Sequence, residues 1–368
     1  MHTNHNQRGF ATLTLSVLLL SIIILATLYT ARFKAQEQRV MRNHAASQEA
    51  HLVADAALEQ VIMLLDSDRD NLTRTINGNI AGATYTANTV GTAVNGTPRG
   101  DIDLVDITVA AQSADGRGQR TFRQSIAVMP LIRSAPDVPI AIRGAMNVSG
   151  SFQVVANPNG GGDGVPLSIW TSDDVDINGN GTTCGQQEFD QGNCASLPFS
   201  ERGDHGVDIL DNDPNFPTDL MMYLFGIEEA NWTDLKAMAT AEYANCDSLN
   251  AASTGLIWIA GPCELGSGQI GTEDNPVALV IQDGDFRVNG SMEIFGMVFA
   301  FRTPGNIATY DFKMNGGAVI QGAVMANFNP DLSNGNLTAR YNAQVLNNVV
   351  TNDAFRRVYR VGGSWHDF

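Results

Sequence analysis

Charge is missing altogether from residues 10–31. That run, FATLTLSVLLLSIIILATLYTA, is long enough to span a bilayer as a helix. Proline and glycine are missing from Arg32 to Asp66, so the two strongest helix breakers are excluded there. Basic residues are scarce beyond residue 133. Residues 134–368 hold 10 Lys/Arg against 28 Asp/Glu, a net −18, while residues 1–133 hold 12 against 11, a net +1. An acidic half of this kind excludes nucleic acid, whose binding needs cationic neutralisation of phosphates. It suits cations or basic partners. Zinc spacing such as C-x₂-C is absent. So are G-x-S-x-G, a nucleotide-binding glycine loop and H-E-x-x-H. Histidine in the acidic half is limited to His205 and His366. Paired carboxylates of the glycosidase kind would have to come from Asp173, Asp174 and Asp204 with His205. No basic residue converges on them in the sequence, and the expectation is a protein that is not an enzyme.

What is present begins with one rod. Good helix formers (Ala, Gln, Glu, Arg, Leu) dominate residues 32–66, directly after the apolar run. Residues 10–66 as a single helix would be on the order of 85 Å long. Before it stands a short polar leader, MHTNHNQRG. A secretory signal peptide is cut after its apolar core. Here the small residue, Gly9, stands before it.

The junction Arg8-Gly9/Phe10-Ala11-Thr12-Leu13-Thr14 resembles the processing site of type IV prepilins. Residues 39–59, RVMRNHAASQEAHLVADAALE, resemble the helix of PilX-type minor pilins. The ending Gly363-Ser-Trp-His-Asp-Phe368 resembles those of large members of that group. The resemblance implies cleavage between Gly9 and Phe10 by a prepilin peptidase, with N-methylation of Phe10. It implies a single-pass inner-membrane protein with a periplasmic C-terminal domain, later carried to an extracellular pilus tip. The positive-inside rule points the other way, since Arg32, Lys34, Arg39 and Arg42 follow the span and only Arg8 precedes it. The cysteines and the pilin pattern outweigh it.

Pilins carry Glu at the fifth mature position, and this chain has Thr14. In pilins, the resemblance implies, that acid neutralises a neighbour's N-terminal amine inside the apolar filament core. An unpaired charge buried there costs several kcal/mol. A subunit at the very tip has no neighbour beyond it, so the loss is tolerable there.

Four cysteines, at 184, 194, 246 and 263, lie beyond the span, which suits an oxidising compartment. Three pairings are possible; sequence order favours Cys184–Cys194 and Cys246–Cys263.

The fold class expected is α+β. A leader (1–9), a membrane or pilus-core helix (10–31) and an amphipathic helix (32–70) precede a β-meander (71–133) and an acidic β-rich domain (134–368). The meander's runs are Ala83–Val90, Ile102–Ala111 and Thr121–Met129, separated by turn-forming stretches. Its sheet should cover an apolar stripe at Leu52, Val53, Ala57, Val61, Leu64 and Leu65. Within the acidic domain, residues 286–300 align with residues 312–326, with Asn289/Asn315, Gly290/Gly316 and Gly296/Gly322 coincident. Residues 146–152 and 175–180 echo the same Asn-containing pattern more weakly. Stacked β-coils follow, a partial solenoid or β-rich sandwich. A helical island is expected at 218–246, in the runs Asp219–Phe225 and Asn231–Asn245.

Asp174-x-Asp176-x-Asn178-Gly179 fits the opening of a Ca²⁺ loop, although the twelfth position is Gly185 and not an acid. The same residues fit an Asn-Gly corner of a β-coil, and the corner is the favoured reading. Asp204, Asp208, Asp211 and Asp213 form a second acidic cluster, either a solvated loop or a weaker calcium candidate. No other cofactor is expected.

The function expected is that of a minor pilin that primes assembly and sits at the filament tip, serving attachment and twitching motility. Its partners would be other minor pilins, the major pilin, a PilY-type tip adhesin, the prepilin peptidase, the inner-membrane assembly platform, and the membrane before assembly. The alternatives are a tip-capping pseudopilin of type II secretion, or a pilus-borne adhesin whose C-terminal domain binds glycan or surface.

Overall fold

A computed structural model describes residues 7–69, 71–97, 100–148, 150–194, 198–331 and 336–367. Leader residues 1–6, the side chains of Gly9 and Phe10, and Phe368 lie outside the described residues. The chain divides into two units. The first runs to Thr92 and adds Asp103–Ala127 and the stretch from Val358 on; the second holds Ala93–Ile102 and Val128–Arg357.

The first unit is built on α1, Gln7–Ser67, an unbroken helix of 61 residues. At about 1.5 Å per residue it is roughly 90 Å long. Residues 12–45 are exposed on every side. The second half buries one stripe, Ala46, Ala50, Val53, Ala54, Ala57, Leu58, Val61, Ile62 and Leu65, at the three- and four-residue spacing of one helix face. Leu52 and Leu64, expected in that stripe, are 66% and 40% exposed. Apolar residues occur on both sides of this helix, and the buried phase runs through Ala50, Ala57, Leu58 and Leu65, not through Leu52 or Leu64.

The sheet against this stripe has consecutive strands β1 (Arg74–Ile80), β2 (Ala83–Thr97), β3 (Gly100–Gln112) and β4 (Gln119–Pro130). β1 pairs antiparallel with β2. Its sequence, RTINGNI, has too few apolar residues to announce a strand. Two C-terminal strands extend the sheet beside β4, at Arg356–Arg360 and His366–Asp367. Both lie within residues 134–368, the stretch expected to form the acidic domain. They return because Trp365 meets the buried Phe122 edge-on at 5.4 Å and Ser364 Oγ donates to Ser125 O at 3.1 Å. Arg360 also pairs with Glu59 of α1. Gly118 holds the β3–β4 turn against the helix: a Cβ there would lie 2.1 Å from the Ala46 carbonyl oxygen.

The second unit is a three-faced solenoid of parallel strands. On one face Ala241–Tyr243, Gly255–Ala260, Val277–Gln282, 296–301, 322–326, Ile140–Ile142, Ile169–Thr171 and Ile209–Leu210 stack in that order. Cys263–Leu265, Phe286–Asn289 and Phe312–Asn315 form a second face, with Met146–Val148 and Val175–Ile177 as a separate pair. Gly268–Ile270, 292–295, 319–321, Asn336–Arg340, Ser151–Val155 and Thr182–Cys184 form the third. The stacking does not follow chain order. Residues 140–210 build one half, and residues 241–340 return from the far end to meet it at Val324↔Ile140 and Leu337↔Phe152.

The internal echo is the coil register itself. Phe286 pairs with Phe312, Asn289 with Asn315, and Gly296 with Gly322. The weaker echo is also real pairing, Met146↔Val175 and Val148↔Ile177. Side chains pointing inward, such as Leu279, Val298 and Phe312, fill the solenoid core. The first face is apolar on its outer side too. Trp258, Val280, Phe299 and Met325 pack there against helices Leu220–Phe225 and Ala343–Thr351 and against Trp232. Burial on both sides explains the unbroken run VALVIQ at Val277–Gln282.

The helical island is shorter than expected. It comprises Leu220–Phe225 and Glu229–Ala237, and Ala241–Tyr243 is a strand. The Thr240 N–H donates to Leu256 O at 2.7 Å, so the chain joins the first face there instead of continuing as helix.

Candidate functional site

The feature most open to a functional reading is α1. From Thr12 on, its apolar side chains point outward all round the helix: Leu13, Val17, Leu20, Ile23 and Leu28 are each more than half exposed. A helix apolar on all sides is stable only in lipid or among other helices. The hydroxyls within the run do not spoil this. Ser16 Oγ donates to Leu13 O, Ser21 Oγ to Val17 O, Thr27 Oγ1 to Ile24 O, and Thr30 Oγ1 to Ala26 O, each at 2.8–3.0 Å. Each of these four hydroxyls is satisfied inside its own helix, as hydrocarbon requires. The helix is long and apolar enough to cross a membrane.

Below the span the helix has two faces. One is buried on the sheet, where Tyr85 Oη bonds Gln60 Oε1 at 3.0 Å and Arg120 Nη2 donates to Ser47 Oγ at 3.1 Å. The opposite face carries Met41, Leu52 and Met63, which are 67%, 66% and 65% exposed. They are spaced by eleven residues, three turns, and so form one straight apolar ridge. Sequence reasoning missed this ridge by placing Leu52 in the core. The eleven-residue spacing was the signal available.

Processing at Gly9-Phe10 depends on residues whose side chains lie outside the description; the backbone there is helical. Thr14 is uncharged. The cysteines pair as Cys184–Cys194 and Cys246–Cys263. Cys246 follows the island and Cys263 opens a strand of the second face, so the second bond ties the first coil to its neighbour.

The acidic candidates are dispersed. Asp174 Oδ1 accepts from Asn212 Nδ2 at 2.6 Å, and Asp176 Oδ2 from Asn178 Nδ2 at 2.8 Å. The Asn178 and Gly179 N–H groups both donate to Val148 O, which is a coil corner. Asp208 is fully buried and accepts from Ser200 Oγ at 2.8 Å. Asp213 faces elsewhere. Its carboxyl is held below the ordinary carboxylate range chiefly by the Asn215 N–H, with the Trp170 indole N–H at 2.8 Å adding to it. Asp204 pairs with Glu201 through backbone bonds, Asp211 lies in the loop between, and His205 is exposed. Asp173 contributes its carbonyl, to Thr171 Oγ1 at 2.6 Å. Among the described residues, no three His, Cys, Asp or Glu side chains are grouped to hold a metal ion.

No family model matches this chain, and no curated protein or solved structure aligns with it significantly.

Proposed function

We propose that the chain is a minor-pilin-like subunit of a type IV pilus. One observation carries this reading: a single unbroken helix is apolar all round in its first half and packed by one face on an antiparallel sheet in its second. A plain anchor needs only the first half. A helix that continues without a break lets one rigid element serve first in the membrane and then in the core of a filament. The ridge of Met41, Leu52 and Met63 gives that helix a contact for neighbouring helices below the span. Before assembly the subunit sits in the inner membrane with both units on the periplasmic side. After cleavage at Gly9 it joins other minor pilins, the major pilin and a PilY-type adhesin at the tip. Thr14 fits that terminal position, because it offers no charge to a neighbour's amine. The solenoid unit, absent from a simple helix-and-meander plan, would obstruct regular packing along a shaft.

The test is position and number. Gold labelling of the solenoid unit should decorate filament ends only, and deletion should reduce the number of surface pili far more than their length. Regular labelling along the shaft would overturn the tip assignment.

A further inference from the structure

The third face of the solenoid carries a groove of about 290 Å³. Its polar lining is Ser151, Gln153, Asn180, Thr182, Asn336 and Thr338. The strand register places these in rows: Thr338 beside Gln153 beside Thr182, and Asn336 beside Ser151. Phe152, Leu337 and Ala318 line it as well, and each is nearly buried, so the groove has an apolar floor beneath a polar rim. Gly181 keeps the Phe152 ring close to the surface, since a Cβ at 181 would lie 1.9 Å from Phe152 Cε1. Gly317 leaves the adjoining wall open, with nothing within 4 Å of a Cβ placed there.

We propose that this groove binds a short neutral glycan segment through its hydroxyl and amide rim. Four arguments select that class. The lining contains no charged side chain, although the unit is strongly acidic, so phosphate, sulfate and carboxylate ligands find no counter-charge. The rim groups are hydroxyls and amides, which both donate and accept, as sugar hydroxyls do. Among the described residues, no side-chain hydrogen bond engages Ser151, Asn180, Thr182, Asn336 or Thr338, while the Gln153 amide donates to the Cys194 sulfur at 3.1 Å, a weak acceptor. The apolar floor suits the C–H face of a sugar ring.

Ser151–Val155 pairs along its whole length with Asn336–Arg340 and, from Gln153 on, with Thr182–Cys184, whereas Asn336–Arg340 meets 320–321 only at Ala339 and Arg340. The strand edge left at 336–338 is three residues long, a short template for an added peptide strand, and most of the polar lining is side-chain hydroxyl and amide. The groove crosses four coils, from Ala318 to Thr182, or roughly 14 Å at about 4.8 Å per coil. That length accommodates two or three linked sugars. The inference concerns the second unit alone and stands whether or not the chain assembles into a pilus.

The experiment uses the full chain solubilised in a zwitterionic detergent, because a maltoside or glucoside headgroup would compete. Saturation-transfer difference NMR is run against glucose, galactose, mannose, N-acetylglucosamine, N-acetylgalactosamine and their β-linked disaccharides, with glucuronic acid and a sulfated disaccharide as charged probes. At least one neutral sugar should receive saturation with a Kd in roughly the millimolar range. Gln153→Ala with Thr338→Ala should weaken it about tenfold or more, through two lost hydrogen bonds. Thr182→Trp, which fills the groove, should abolish it. Glu264→Ala, on the second face, should leave it unchanged. If Thr182→Trp fails to fold, the double variant decides alone. Absence of saturation for every neutral sugar, binding confined to the charged probes, or binding unaffected by the double variant would each overturn the assignment. Filament labelling is indifferent to all these outcomes, so failure here and failure of the pilin reading are separable.

Discussion

Gly322→Ala should lower the unfolding temperature of the solenoid unit sharply, and Gly317→Ala should lower it little. Both glycines hold positive φ, 145° and 79°. Their surroundings differ. A Cβ on Gly322 would lie 1.9 Å from the Gly296 carbonyl oxygen and 2.9 Å from its carbonyl carbon. Those atoms are backbone of the neighbouring coil, held in register by the Gly296↔Gly322 pair, so no side-chain rotation relieves the clash. A Cβ on Gly317 meets nothing within 4 Å. Positive φ alone costs an alanine about 1–2 kcal/mol. At Gly322 the coils must also separate, weakening the parallel hydrogen bonds on both sides, which brings the total to about 4 kcal/mol or more. A unit of this size loses about 2–4 °C per kcal/mol. The expected drops are therefore roughly 10 °C or more for Gly322→Ala and about 4 °C for Gly317→Ala. Circular dichroism of the full chain in detergent, followed through heating, reads both. Equal drops, or a larger one for Gly317→Ala, would refute the argument that coil stacking is what demands glycine at 322.

Two further outcomes follow from the buried and acidic groups. Glu229 is buried, and burial pushes its carboxyl above its ordinary 4.5 even though Arg143 lies 3.0 Å away. A raised carboxyl contributes stability that is complete below about pH 4.5 and is lost as pH rises through the folded value. Glu229→Gln should therefore flatten the fall in melting temperature between that pH and neutrality; an unchanged slope would contradict it. Asp174 and Asp176 are each held by an asparagine amide, so a chelator should leave the melting temperature of both the parent and Asp176→Ala unchanged. A chelator-sensitive parent whose sensitivity disappears in Asp176→Ala would restore a calcium site there.

The features legible in the sequence were those with local or periodic causes. Residues 10–66 read as one rod because nothing in them breaks a helix. The 26-residue echo read as stacked coils because the glycine and asparagine corners recur in register, Asn289 over Asn315 and Gly296 over Gly322. The hidden features were non-local. Arg356–Arg360 carries three arginines and looks like a tail, yet it lies in the sheet beside β4. The phase of α1 was ambiguous because Leu52 and Leu64 sit beside the residues that are actually buried. The two-directional stacking, with Ile140 meeting Val324, has no local signature at all. Neither has the groove, whose rim gathers Ser151, Thr182 and Thr338 from separate coils.

The central claim concerns the long helix, and the mature N-terminus tests it most directly. Intact-mass and N-terminal peptide spectra of the chain recovered from membranes should show it beginning at Phe10 with one added methyl group. Gly9→Val, whose branched side chain does not fit a position read as glycine, should retain residues 1–9. A mature chain that still begins before Phe10, or that begins beyond the apolar run, would contradict the pilin reading and leave α1 an ordinary anchor or a cleaved signal.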